Sequence, residues 1–288
     1  MKFRTESRLT SSSNVSLFCC AAPGHACSVY CGRHLGRALC IITGASRGFG
    51  RTVAKELSLR VKPGSAFVLV ARSESELQTL RAELAESDAG RAGLEVRYVA
   101  TDLGLTEGLE KVTKAVQEAA SELIEHVLLV NNAGKSPSVV FTEMAEVNSY
   151  LSFNVSSVLC LTARILQAFP QRPGLRRTIV NISSLCALKP FPSWVLYCAG
   201  KAARDMIFKV LAEEQPDLRV LSYAPGPLDT DMQLEARSKS GDATLRKSFN
   251  EMFTRGQLVS CEESCNKLTK LLMEDSYTSG AHIDFYDI

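Results

Sequence analysis

From residue 37 to the C-terminus, short apolar runs alternate with amphipathic stretches, and no other feature restricts the fold so strongly. The runs occupy residues 38–42, 66–71, 96–100, 127–130, 178–182, 220–223 and 281–285. Each is too short for a helix and apolar at nearly every position, as expected of a strand buried on both faces. The intervening periodicity predicts helices over 49–60, from Ser73, and over 107–123, 148–169, 197–214 and 261–273. In the second of these, Leu77, Leu80 and Leu84 share one face, and Ser73 with Glu76 has the S-x-x-E form of a capping box. Strands separated by helices need crossover connections. The expected fold class is therefore α/β, a doubly wound, Rossmann-like parallel sheet of seven strands with helices on both faces. At ~150 residues per domain, 288 residues suggest two domains, but open α/β sheets of roughly 250 residues often form one. No repeat or composition shift marks a second domain after residue 37.

Residues 1–36 read differently. Lys2, Arg4, Arg8 and Arg33 stand against one acid, Glu6, beside Ser11-Ser12-Ser13, a composition that transit peptides share. Residues 15–22 are a short apolar run like a weak signal core, yet neither targeting pattern is complete. The expectation is a disordered extension ahead of one domain at 37–288. Cys19, Cys20, Cys27 and Cys31 interleave there with His25 and His34. Zinc takes such ligands, but paired C-x-x-C units are missing, and no metal site is expected. The remaining six of the ten cysteines are scattered through hydrophobic segments, which fits a reducing compartment and a cytoplasmic location. The formal charge of +2 offers no basic face for nucleic acid. No uninterrupted apolar stretch approaches the ~18–20 residues of a membrane span.

The first strand runs into Thr43-Gly44-Ala45-Ser46-Arg47-Gly48-Phe49-Gly50. Glycines at 44, 48 and 50 permit a tight turn whose N–H groups can approach a pyrophosphate at a helix N-terminus. A Gly-rich turn also serves as a plain strand–helix connection; its place at the start of a βαβ unit favours a dinucleotide. The spacing is GxxxGxG rather than GxGxxG, and this variant resembles the short-chain dehydrogenase/reductase family. Arg47 in the loop and Arg72, with Ser73, after the second strand are two guanidiniums placed for a 2′-phosphate, with no acid between them. They favour NADP(H) over NAD(H). Asp102, followed by Leu103, holds the family position that contacts the adenine; a helix-capping Asp is the alternative.

Farther along stand Asn131-Asn132-Ala133-Gly134, Asn154, Ser184, and Tyr197 with Lys201. Tyr197 and Lys201 are i,i+4 and share a helix face. A nearby ammonium favours the phenolate and draws a phenol's pKa down from about 10. Tyr197 can then hand a proton to a carbonyl oxygen as hydride arrives, and Ser184 can hydrogen-bond the same oxygen. The resemblance implies further that Lys201 binds the nicotinamide ribose and that Asn154 holds a proton-relaying water. It places Asn132, Ala133 and Gly134 against the cofactor. After the sixth strand, Ala224-Pro225-Gly226-Pro227 leads into Leu228, Asp229, Thr230, Asp231, Met232 and Gln233, where the family grips the nicotinamide carboxamide.

NISSLCALKPFPSWVLYCAGKAARDM (181–206), SYAPGPLDTDMQ (222–233) and SGAHIDFYD (279–287) narrow the resemblance to pterin-reducing members of that family. With TGASRGFG the match spans nearly all of 37–288. It implies reduction of pterin side-chain carbonyls by NADPH, a cytosolic homodimer packed through helices 148–169 and 197–214, and Asp284 as substrate anchor. A carboxylate suits the guanidine-like edge of a pterin because it accepts two parallel N–H bonds. Ser184, Leu185, Tyr197 and Gly226 would line the substrate pocket. Two departures stand out. The stretch between Gly134 and Asn154 is several residues shorter than the family pattern, and the 36-residue extension is foreign to it. Two rival functions remain: a broader ketone and diketone reductase, and a catalytically idle NADPH-binding regulator.

Overall fold

The computed structural model describes residues 34–135 and 146–288. The cysteine cluster, the basic leader composition and most of the short stretch after Gly134 lie outside the described residues. All seven expected strands form: β1 (Ala38–Thr43), β2 (Ala66–Ala71), β3 (Glu95–Ala100), β4 (His126–Asn131), β5 (Arg176–Ile182), β6 (Arg219–Ala224) and β7 (Ala281–Asp284). They build one sheet in the order β3-β2-β1-β4-β5-β6-β7, every neighbouring pair parallel. The order reverses direction between β1 and β4, which opens a crevice at the carboxyl edge of the sheet.

The helices are α1 (Gly48–Ser58), α2 (Glu74–Glu86), the single turn α3 (Asp88–Arg91), α4 (Thr106–Ala119), α5 (Val147–Leu151), α6 (Ser157–Ala168), α7 (Val195–Glu214), α8 (Asp231–Lys239), α9 (Ala243–Thr254) and α10 (Cys261–Glu274). A π-helical turn, Ser152–Ser156, joins α5 to α6. Alternate strand residues feed two cores, one on each face. Cys40, Ile42, Phe67, Leu69 and Leu128 pack with Val53 and Leu57 of α1, the Leu77–Leu80–Leu84 face of α2, and Leu268 of α10. Leu39, Ile41, Val68, Val70 and Leu129 pack with Val112 of α4, Leu161 of α6 and Phe208 of α7. Burying both faces is what the continuous apolar runs demanded. Only the edge strands depart from that pattern: β7 is half-buried throughout, and β3 nearly so.

Several expectations need correction. Ser73 stands at the N-cap of α2, but its side chain caps nothing; it faces Ser75 instead, so the capping box does not form. The domain starts slightly before residue 37, because Leu35 is buried in the core and its N–H bonds Arg60 O at 2.8 Å. The expected 148–169 helix is interrupted by the π turn. The run Val147–Ala168 is also long and apolar enough, by length and composition alone, to cross a membrane. Here Val158, Leu161 and Ile165 of that run pack into the core. Helices α8 and α9 had no counterpart in the periodicity, since α8 buries only Gln233 and Ala236 and α9 buries no residue fully. Their anchor is Trp194, whose ring lies 5.4 Å from that of Phe249 and whose indole N–H donates to Ser240 Oγ at 3.1 Å.

Candidate active site

Every strand ends at the same edge, so residues far apart in sequence meet there. Gly44 and Gly48 sit in the left-handed region, at φ +68° and +52°. A Cβ on Gly44 would lie 2.7 Å from Asn132 Nδ2, and one on Gly50 would lie 2.3 Å from Gly44 O. Only bare backbone fits here. Asn132 closes the turn by donating to Thr43 O at 2.9 Å and Gly44 O at 3.2 Å. The Thr43 hydroxyl accepts from the N–H groups of Asn132 and Ala133, both at 3.0 Å. The loop at the N-terminus of α1 is thus joined to the end of β4, leaving a main-chain cradle suited to a pyrophosphate.

Around the cradle the remaining cofactor candidates gather. Thr230 reaches the loop, its Cγ2 lying 3.4 Å from where a Gly48 Cβ would be. An acid from a distant segment pairs with Arg47. Asp231, at the start of α8, meets its guanidinium at 2.6 Å, although both side chains are largely exposed. Arg72 and Ser73 are exposed at the end of β2. Asp102 does not cap α4, whose N-cap is Leu105; its carboxylate accepts from Gly104 N at 2.8 Å, holding the turn after β3, while Leu103 is buried. Gln233 turns inward and donates to Phe249 O at 3.3 Å. Met232 remains more than one-third exposed.

Ser184, Tyr197 and Lys201 come together at the ends of β5 and α7. Ser184 caps the short turn Leu185–Ala187, its Oγ accepting from Cys186 N at 3.2 Å, and Leu185 is exposed beside it. Trp194 stands edge-on to Tyr197 at 5.1 Å and, with Cys186 and Ala236, forms an apolar wall. Tyr150 of α5 packs on Gly200, where a Cβ would lie 3.1 Å from its ring. Asn154 lies in the π turn and is buried; its Oδ1 accepts from Lys135 N at 2.8 Å and its Nδ2 donates to Tyr150 O at 3.0 Å. Among the described residues, one lone pair of that Oδ1 remains for a water. Gly226 (φ +78°) turns the chain after β6, and Asp284 ends β7 opposite Ala224. Two inter-strand spacings, about 10 Å, separate the end of β5 from the end of β7.

The electrostatics differ from the sequence expectation. Lys201 is buried and gives its ammonium to Ile182 O at 2.6 Å, with Nζ 5.5 Å from the centre of the Tyr197 ring. Burial dominates the Tyr197 phenol and pushes its pKa up, not down. Ser184 and the guanidinium of Arg204 draw it the other way. Burial, and then Arg204, push Lys201 well below the usual ammonium range, against Asp205. Sequence reasoning overlooked Arg204 and Asp205. The available signal was a charged pair three and four residues after Lys201 on a helix that must face the core, where charges are rarely placed without partners.

A family model described as short chain dehydrogenase matches residues 38–241. The chain belongs to the short chain dehydrogenase family. It is similar to sepiapterin reductase of Bos taurus, 53% identical over 259 residues, covering 88% of this chain and 96% of the relative. Sepiapterin reductase of Xenopus laevis is 51% identical over 258 residues, covering 88% and 97%. Among solved structures, the KRED1-Pglu enzyme matches with a TM-score of 0.73 at 28% identity, covering 85% of this chain and all of that one. L-sorbose reductase from Gluconobacter frateurii, solved with NADPH and L-sorbose, matches with a TM-score of 0.72 at 25% identity, covering 87% and 95%. As a short chain dehydrogenase the chain is an oxidoreductase with a nicotinamide cofactor, and the bare cradle at Gly44–Gly50 is the feature that fits that group.

Proposed function

We propose that this short chain dehydrogenase reduces the side-chain carbonyls of pterins, sepiapterin and 6-pyruvoyl-tetrahydropterin among them, with NADPH, in tetrahydrobiopterin synthesis. One observation carries the reading. Ser184, Tyr197 and Lys201 share a sheet edge with Asp284, in a chain about half identical to sepiapterin reductases. When bound, the nicotinamide supplies the hydride. Residues 44–50, 72–73, 102–103, 132–134 and 228–233 would hold the cofactor, with Lys201 on its ribose. Arg72 and Arg47 favour its 2′-phosphorylated form.

Tyr197 gives its phenolic proton to the substrate oxygen. Burial holds that phenol in the protonated form a donor needs. Ser184 hydrogen-bonds the same oxygen and stabilises its growing charge. Asn154 holds the water that returns a proton. Asp284 accepts the N–H pair of the pterin edge. Its carboxylate also caps the short turn Phe285–Asp287, Oδ1 accepting from Tyr286 N at 3.1 Å, which fixes its orientation. Leu185 and Gly226 border the pocket. The same reading carries a cytoplasmic homodimer packed through α5–α6 and α7, where Leu159, Met206 and Val210 leave an exposed apolar face.

The test is NADPH oxidation with sepiapterin beside a simple diketone. Tyr197→Phe should lose at least ~100-fold in kcat with sepiapterin. Asp284→Ala should raise KM for sepiapterin by about tenfold or more, the loss of one charge-assisted contact. If Asp284→Ala left sepiapterin turnover untouched and reduced the diketone better, the broader ketone reductase would replace the pterin reading. Undiminished turnover by Tyr197→Phe would remove the proton donor.

A further inference from the structure

Beneath the catalytic residues lies a buried polar cluster for which the mechanism above has no use. Asp205 stands one turn beyond Lys201 on α7. Its Oδ1 accepts from Ser183 Oγ at 2.6 Å and from Asn181 Nδ2 at 2.9 Å. Its Oδ2 meets His282 Nδ1 at 2.6 Å, and since a carboxylate only accepts, that nitrogen carries the proton. Arg204, fully buried, donates to Asn181 Oδ1 at 2.8 Å, to Ala133 O at 3.2 Å and to Asn131 O. Asn181 therefore joins the two charged residues. The cluster touches the residue before Ser184, the NNAG turn, and a strand residue two positions before Asp284.

We propose that Asp205 is a positioning residue of the reaction, setting Ser184 and the Asp284 strand against α7 and serving as counter-charge to the buried pair Lys201 and Arg204. The proposal rests on the catalytic reading of Tyr197 and Lys201. Two cations on adjacent turns repel, and burial disfavours the charged form of each. Asp205 favours the protonated form of both. The other titratable groups against this core are Tyr197 and Cys198 of α7, Tyr150 of α5, Cys186 of the turn after Ser184, and His282 of β7. Burial pushes Tyr197, Tyr150 and Cys186 up and keeps them neutral, so Asp205 supplies the negative charge.

Removing a negative charge lowers the proton affinity of every neighbour, so Lys201 and Tyr197 would both release protons at lower pH. Asp205→Asn, nearly isosteric, should shift the alkaline limb of the kcat/KM profile for sepiapterin down by about one pH unit. Asp205→Glu, which keeps the charge, should restore the limb even where the rate stays reduced. His282→Ala loosens only the strand that carries Asp284, so it should raise KM for sepiapterin and leave the limb in place. Arg204→Gln removes the opposing cation and should move the limb upward, and it carries the test if Asp205→Asn does not fold. A uniform fall in rate with an unmoved limb in Asp205→Asn, or in Arg204→Gln if that variant alone folds, would overturn the proposal. Tyr197→Phe separates the two readings. If it is dead while these limbs stay put, only the role of Asp205 fails; if it is fully active, the catalytic reading beneath it fails.

Discussion

The two halves of the sheet build their parts of the site by opposite means. The β1–β4 side works with backbone: glycines at 44 and 50 bring main chain against main chain, and Asn132 locks the turn by bonding two carbonyls. The β5–β7 side works with side chains drawn from β5, α7 and β7 and tied together by Asn181, Arg204, Asp205 and His282. A backbone cradle tolerates almost no change in shape but needs no charge. A side-chain constellation tolerates changes in shape but depends on a buried network that is satisfied only as a whole.

The sharpest way to break that contrast is to add one methyl group. In Gly50→Ala the new Cβ would fall 2.3 Å from Gly44 O and 2.4 Å from Asn132 Nδ2. The loop or the Asn132 lock must shift, at a cost of about 2 kcal/mol or more. Urea unfolding should report that loss, and NADPH affinity by fluorescence titration should fall at least ~10-fold. Gly256→Ala, in the turn after α9, has φ +64° and nothing within 4 Å of its added Cβ. It should cost only ~1 kcal/mol of backbone strain and leave NADPH binding unchanged. Equal losses in the two variants would dissolve the distinction.

A smaller effect is expected where side chains do enter the cofactor half. Arg72→Ala and Arg47→Ala should each raise KM for NADPH by up to ~10-fold and leave KM for NADH nearly constant. The NADPH to NADH ratio of kcat/KM reads this directly. Asp231→Asn frees Arg47 from an exposed ion pair, of a kind worth at most ~1 kcal/mol, so stability should barely change. Were the cofactor ratio unmoved in both arginine variants, specificity would have to come from the backbone as well.

Legibility from sequence divides instead between local and distant contacts. β1, the glycine turn and α1 are contiguous, so local periodicity and a motif were enough to place them. The Ser184–Tyr197–Lys201 spacing was likewise readable, because Tyr197 and Lys201 share a helix. What stayed hidden depends on contacts between distant segments. Asp231 meets Arg47 across 184 positions, and His282 meets Asp205 across 77. The direction of the Tyr197 shift was hidden as well, since burial takes hold only once the apolar wall of Trp194 and Cys186 is in place. Helices α8 and α9 escaped because they pack on Trp194 by a few residues rather than along a periodic stripe.

The smallest expected effect bears on the same lesson, in two serines that look alike in sequence. Ser73 and Ser260 each precede a helix, and each is followed three positions later by a glutamate. Only Ser260 caps, its Oγ accepting from Glu263 N at 3.0 Å; Ser73 points to Ser75. Ser260→Ala should therefore cost ~1 kcal/mol in urea unfolding, and Ser73→Ala should stay within ~0.5 kcal/mol of the parent. Glu263 meets Ser260 through its main chain, so Glu263→Gln should change little beyond the charge near the N-terminus of α10, worth ~0.3–1 kcal/mol. If Ser73→Ala instead cost as much as Ser260→Ala, Ser73 would be capping α2 in solution, and the local pattern would have been the better guide at that position.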